Sequence, residues 1–283
     1  MRAAARKSLF FATFFGIFAS SAAFGAAPGK PATKTVAKKI AARATAGYVK
    51  AVKNWHAVEG DAKQPVDGQG RPELAIYSLN TRNKIALRAA SDHGGFSTRD
   101  LDTLSYVLRE PSSGNQHPID PALADLVYRI QTHFDAPEIR VVSCYRTPRR
   151  GHASNHGLGR AIDIIVPGAT DDAVAKFARE QGFVGVGLYP TSGFVHVDVR
   201  QRSYLWIDSS GPGRRNRERG VFGDLAKKSD AAAIARGEHG APSLLLGSVD
   251  AMLKSTDASA ASSAMTDEED EDSDPPPVAP APE

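Results

Sequence analysis

The chain is poor in cysteine. Its 283 residues hold one, Cys144, so no internal disulfide can form and a cysteine-built structural zinc site is excluded. Any folded unit must therefore rest on its own apolar core, and the length suffices for one domain of ordinary size plus tails. A surplus of charge is missing too. The formal net of +3 is matched by Arg2, Arg6 and Lys7 at the N-terminus, so the remainder is near neutral. Composition thus gives no ground for a nucleic-acid partner. The apolar run Leu9 to Phe18 is too short for a comfortable membrane span. It lies between the basic start and a small-residue exit, SSAAFGA, which is the layout of a secretory signal peptide over residues 1–25. Cleavage is expected between Ala23 and Ala26, and no lipidation box of the Leu-Ala-Gly-Cys type lies nearby. No internal repeat is visible.

What is present sorts into four segments. After the signal, residues 26–70 are rich in Ala, Lys and Gly and read as a flexible tether, with a short helix expected around Thr35 to Val52. Structure begins near Arg71. ELAIYSLNTRNKIALRA alternates apolar and polar residues on both sides of Asn80 to Asn83, the pattern of a β-hairpin. STRDLDTLSYVLRE follows as a helix capped by Ser97 or Thr98, with Leu101, Leu104 and Leu108 on one face. Asp120 and Pro121 open a second helix that carries Leu123, Leu126, Val127 and Ile130 at helical spacing. EIRVVSCYR and AIDIIVP read as strands, TDDAVAKFAREQG as a helix, and VGVGLYP and GFVHVDVR as two more strands joined at Thr191 to Gly193. The folded unit is expected over residues 71–208, in the α+β class, with a central antiparallel sheet flanked by helices. Residues 209–283, from the basic GPGRRNRERG to the acidic, proline-rich end, read as a low-complexity disordered tail.

The chemistry concentrates in GHASNHGLGRAIDIIVPG, Gly151 to Gly168, and in its later echo GFVHVDV. Side chains alternate along a strand, so Ala161, Asp163 and Ile165 share one face, and His196 shares a face with Asp198. Val195, Val197 and Val199 take the opposite face. A lone carboxylate on an apolar strand is costly to bury unless it is paired or bound to a metal. His156, Asp163 and His196 offer two nitrogens and one oxygen, a set suited to Zn²⁺ with water in the fourth position. On spacing alone, the alternative stays open that these are ordinary polar residues at strand ends, satisfied by backbone hydrogen bonds.

SCYRTP, SNHGLGRAID, GVGLYP and FVHVDVRQRSYLW, in this order, resemble the murein endopeptidase K-like zinc metallopeptidases. These are related to D-alanyl-D-alanine carboxypeptidases and to the hedgehog-type fold. The resemblance also takes in LAIYSLNTRNKIAL and HPIDPALADLVYRIQ, so it spans nearly the whole expected domain. It implies a Zn²⁺ cofactor held by His156, Asp163 and His196, and hydrolysis of amide bonds in peptidoglycan stem peptides or cross-links. Arg146 is implied to bind substrate and to stabilise the developing oxyanion. Ser154 matches a serine that braces the site at the substrate, and Tyr189, with Trp206, fits a substrate wall or the core. Relatives place a glutamate shortly before the last histidine ligand. Here that stretch is Thr191-Ser192-Gly193, so its role cannot be carried over. Asp198 is the expected general base, with a second role open as the acid that orients His196. His152 and Arg160 are read as site-mouth or plain surface residues, His117 as leading into a helix, Cys144 as inertly buried, and the RRNRER run as solvated charge.

The partners implied are peptidoglycan peptides, with no nucleic acid, no membrane insertion after signal cleavage, and a monomeric protein. That substrate lies outside the cytoplasmic membrane, in the periplasm, in keeping with the export signal. A D,D- or L,D-carboxypeptidase that trims stem peptides, or a non-catalytic zinc domain that binds wall or partner protein, remain alternatives.

Overall fold

A computed structural model describes residues 44–148, 154–212, 214, 218–219 and 222–240. The signal peptide, the first part of the tether, His152, residues 215–217 of the RRNRER run and the tail from residue 241 lie outside the described residues.

Local signals fix the helices where the sequence put them. Ser97 caps α2 (Thr98–Val107) in a reciprocal capping box with Asp100. Asp120 caps α3 (Pro121–His133), which starts on proline. Thr170 caps α4 (Asp171–Glu180), whose first turn carries Asp171 and Asp172 beside the positive helix end. The strands are β1 (Glu73–Ser78), β2 (Lys84–Arg88), β3 (Ile139–Ser143), β4 (Ala161–Ile165), β5 (Val184–Tyr189), β6 (Phe194–Val199), β7 (Tyr204–Asp208) and the short β8 (Glu218–Arg219). Among the described residues they form one sheet in the order β2-β1-β3-β4-β6-β5-β7-β8.

The sheet is mixed, not wholly antiparallel as expected. β1 pairs with β3 in parallel, and so does β5 with β7. The cause is connectivity. α2 and α3 fill the crossover from the first hairpin to β3, and the chain after β6 passes the end of β5 to reach its free edge. β7 was not anticipated as a strand, since the alternating pattern fades at Trp206.

The two faces divide the labour. Ile162 and Ile164 of β4, Val195, Val197 and Val199 of β6, and Val184 and Val186 of β5 pack against Leu123, Leu126, Val127 and Ile130 of α3 and Val174 and Ala178 of α4. This is the main core. The other face carries Asp163, His196 and Asp198, and is covered at one end by a helix that lies inside the expected tether. That helix, α1 (Ala46–His56), buries Ala51 and Trp55 against Val142 and Ile165, with Phe194 alongside. Arg140 donates from Nη1 to three carbonyls at its C-terminal end, Asn54 at 3.1 Å, Trp55 at 2.8 Å and Ala57 at 3.0 Å. The Tyr48 hydroxyl donates to the Ser192 carbonyl at 2.8 Å. Gly193, at φ +71°, leaves room for Val52, which a Cβ would meet at 2.4 Å.

A second helix, α5 (Gly223–Ala235), lies in the segment read as disordered tail. It buries Ala226 and Ala233, and Asp230 accepts from the backbone N–H groups of Phe183 and Ser203. The folded unit therefore exceeds residues 71–208 at both ends. α5 buries only the small side chains Ala226, Ser229 and Ala233, which leaves a faint hydrophobic period in the sequence. No helix of the described residues is long and apolar enough to cross a membrane.

If α1 belongs to the fold, Trp55→Ala should lower stability by about 3 kcal/mol, as removal of a buried aromatic does. Urea unfolding checks this, and an unchanged midpoint would mark the helix as a loose attachment.

Candidate metal centre

β4 and β6 run antiparallel with Asp163 directly opposite His196. Directly opposed residues point to the same side of the sheet, so carboxylate and imidazole meet without any loop to bring them together. The third group comes from a single 3₁₀ turn, His156–Leu158, just before β4. Three contacts hold that turn. Ser154 Oγ accepts from the His156 N–H at 3.2 Å. The Asp120 N–H donates to the Gly159 carbonyl at 2.9 Å, and Arg160 Nε donates to Asp120 Oδ2 at 3.0 Å. Gly159 has φ +66°, and a Cβ there would fall 2.1 Å from the Pro118 carbonyl oxygen.

His156, Asp163 and His196 are all buried, and they are the one group of three such side chains among the described residues whose ligand atoms converge, within 4.8 Å of one another. The separations are 3.1 Å from His156 Nε2 to His196 Nδ1, 2.9 Å from His196 Nδ1 to Asp163 Oδ1, and 3.7 Å from His156 Nε2 to Asp163 Oδ1. Four donors around an ion at 2.0–2.1 Å in tetrahedral array stand about 3.3 Å apart, and the three edges bracket that value.

The outer partners of the rings decide where the protons sit. His156 Nδ1 lies 2.6 Å from the Cys144 carbonyl oxygen, to which it must donate, so neutral His156 presents a lone pair at Nε2. His196 Nε2 lies 3.0 Å from Asp198 Oδ2, so neutral His196 presents a lone pair at Nδ1. With both rings neutral, three electron pairs, one of them from Asp163 Oδ1, would face one another in a buried space and would repel unless a proton or a metal cation stood between them. Such outer partners are what metal-bound imidazoles use to fix their orientation.

The local field says the same. Burial works against a charge on His196, yet the carboxylates of Asp163 and Asp198 on its two nitrogens outweigh it and push its pKa up to about 9. Burial alone would raise Asp163, but His156, His196 and Arg146 hold it well below the usual carboxylate range. Arg146 donates from Nη2 to Asp163 Oδ2 at 3.2 Å, on the oxygen not turned toward the histidines.

Several expected roles change. Asp198 does share a face with His196, but it is not placed as a general base. It is fully buried, one oxygen meets His196 Nε2, and both are forked by Arg200, whose Nε stands 2.6 Å from Oδ1. It holds His196 from the side away from the ligand atom. Ser154 braces the turn beneath His156 through its Oγ, the bracing role expected of it. Trp206 forms the wall nearest the centre, with its ring 5.1 Å from that of His196. Gly187 lies opposite both in the sheet, and a Cβ there would meet the indole at 2.4 Å. Tyr189 stands behind it, stacked on Phe194 at 4.5 Å and accepting from Trp206 Nε1 at 3.3 Å. Arg160 is tied to Asp120, and His117 donates to the Pro118 carbonyl while stacking on Tyr145. The Cys144 thiol is driven far up by burial and is inert, while its backbone carbonyl serves the centre. That carbonyl and Arg200 are the two contributors the sequence reading missed. A carbonyl leaves no trace in a sequence, whereas Arg200 stands two residues beyond Asp198, the same step that pairs Asp198 with His196.

Comparison with known proteins gives a family. The family model described as peptidoglycan L,D-endopeptidase MepK matches residues 67–203. A probable peptidoglycan L,D-endopeptidase MepK of Haemophilus influenzae is 37% identical over 139 residues, which cover 44% of this chain and 74% of that protein. The chain belongs to the MepK family of M15 peptidases. Peptidoglycan L,D-endopeptidase MepK of Escherichia coli K12 is 31% identical over 138 residues, 44% of this chain and 75% of the relative. No solved structure matches. The MepK match takes in His156, Asp163, His196, Asp198 and Arg200, while Trp206, α1 and α5 lie outside it.

A cation can enter only where the proton on His196 leaves. Apparent metal affinity should therefore rise with pH up to about 9 and fall toward acid. Near neutral pH about one proton should be released per ion bound. Calorimetry in buffers of differing ionisation enthalpy measures that release, and a value of zero would contradict the proposed protonation.

Proposed function

We propose that this protein is a zinc peptidase that hydrolyses an amide bond in peptidoglycan stem peptides or their cross-links, outside the cytoplasmic membrane. The observation that carries the reading is the convergence of buried ligand atoms from His156, Asp163 and His196 within 4.8 Å of one another. Two imidazoles and one carboxylate, with no thiolate, form the donor set of a catalytic zinc and leave a fourth position open. Zinc bound there supplies Lewis acidity and lowers the pKa of a water toward ~7. The substrate is the one in the names of the MepK relatives, and a signal peptide over residues 1–25 accounts for delivery to the periplasm.

The remaining steps belong to the chain's own residues. Arg146 keeps the Asp163 carboxylate in place and fixes a positive charge beside the centre, where it offsets negative charge that develops on the scissile carbonyl oxygen. Trp206 closes one side of the site and excludes water from His196. Asp198 keeps His196 in the tautomer that faces the ion, and the proton-accepting base is therefore another group.

Purified cross-linked muropeptides digested by the mature protein test the reading. Release of uncrosslinked products should require metal, stop with chelator and be absent in His156→Ala. Activity that persists in chelator would sink the metal peptidase, and release of single terminal residues alone would identify a carboxypeptidase. Arg146→Ala should lower kcat by about 10²–10³-fold, the loss expected when one oxyanion-stabilising donor is removed.

Asp198→Asn separates positioning from base catalysis. As a positioning residue it should weaken zinc binding by about tenfold or more and recover most activity when zinc is in excess. Loss of a true base would cost about 10²–10⁴-fold whatever the zinc concentration.

A further inference from the structure

Asp198 is a fully buried carboxylate that meets one histidine N–H and one backbone N–H, from Gly185 at 3.2 Å. Those two donors do not fix its plane, and a buried carboxylate needs a counter-charge. Arg200, the first residue after β6, supplies both. Its Nε donates to Asp198 Oδ1 at 2.6 Å and its Nη2 donates to Oδ2, the same oxygen that accepts from His196 Nε2. This is the planar two-point grip that guanidinium and carboxylate make with each other and that an ammonium cannot reproduce.

The surroundings are shaped to admit that grip. Gly185 lies opposite Asp198 in the neighbouring strand, and a Cβ there would fall 2.0 Å from Asp198 Oδ2 and 2.6 Å from Arg200 Nη2. The Arg200 guanidinium carbon also stands 5.4 Å from the centre of the Tyr204 ring, and the Arg200 N–H donates to the Phe183 carbonyl at 2.9 Å. The arginine is thus held at its backbone and at its head.

We infer that Arg200 is a positioning residue of the metal centre: by gripping Asp198 it sets the carboxylate that holds His196 with Nδ1 turned toward the ion. The sequence of contacts runs from Arg200 to Asp198 to His196, and it reaches the ion without Arg200 approaching substrate. The inference rests on the metal reading above, and its readout is metal binding itself.

The mature protein is stripped of metal, and its zinc affinity is measured by competition with a chromophoric chelator. The absorption spectrum of the Co²⁺-loaded form is recorded alongside. Arg200→Gln should weaken zinc binding by about 10–100-fold, the range for partners that orient a ligand, and should alter the Co²⁺ bands. Arg200→Lys, which keeps the charge but loses the two-point grip, should fall between wild type and Arg200→Gln. If Arg200→Gln fails to fold, Arg200→Lys carries the test alone, with an expected loss of about threefold or more and a shifted Co²⁺ spectrum. Zinc affinity and Co²⁺ bands unchanged in the folded variants, even with a lowered melting temperature, would overturn the inference and leave Arg200 a structural counter-ion. A wild-type protein that binds no zinc would instead remove the metal reading, and this inference with it.

Discussion

Two imidazoles and a carboxylate turn two nitrogens and an oxygen toward one another over separations of no more than 3.7 Å, in a part of the molecule that solvent barely reaches. A positive charge must sit among them, a proton on His196 up to about pH 9 or a cation once that proton leaves, and much of the nearby structure serves to impose the arrangement. Each ligand is gripped from behind by a different kind of partner: His156 by a main-chain carbonyl, His196 by a carboxylate, Asp163 by a guanidinium. The three groups cannot swing outward, so little reorganisation would remain were a cation to replace the proton.

The fold contributes one thing above all, a pair of strands in fixed register. On β4 and β6 every second residue is Ile or Val and packs on α3 and α4, while the intervening positions carry the chemistry. A slip of one residue would bury Asp163 and His196 among helices and turn the valines outward. The apolar face is therefore what positions the polar one. Gly185 and Gly187 complete the device on β5, where the absence of side chains makes room for Asp198 and for the Trp206 ring.

Much of this could be read from the chain alone, because alternation and capping are short-range. The twofold period placed Asp163 with His196 and Asp198, and Ser97, Asp120 and Thr170 marked their helices. What depends on distant parts could not be read. The parallel pairing of β1 with β3 and of β5 with β7 follows from where the crossovers go. The short helix expected around Thr35 to Val52 overlaps α1, but its packing through Trp55 was not legible, and α5 declares itself only when two alanines find their surface. Alternation told which face Asp198 takes, but not which nitrogen of His196 it would meet, and that distinction separates a proton acceptor from a support. The residues alone offered His156 as a ligand candidate beside Asp163 and His196, and family resemblance favoured that set over the reading of ordinary polar residues at strand ends.

The bond between His156 and the Cys144 carbonyl has a consequence for how such a site can vary. The oxygen belongs to the main chain, so every amino acid at position 144 offers it equally, and the side chain there answers only to the apolar pocket around it. A survey that replaces residues one at a time would pass over this position and record a packing effect at most. The molecule thus keeps one of its most exacting contacts beyond the reach of point mutation, and lets the residue identity drift above it.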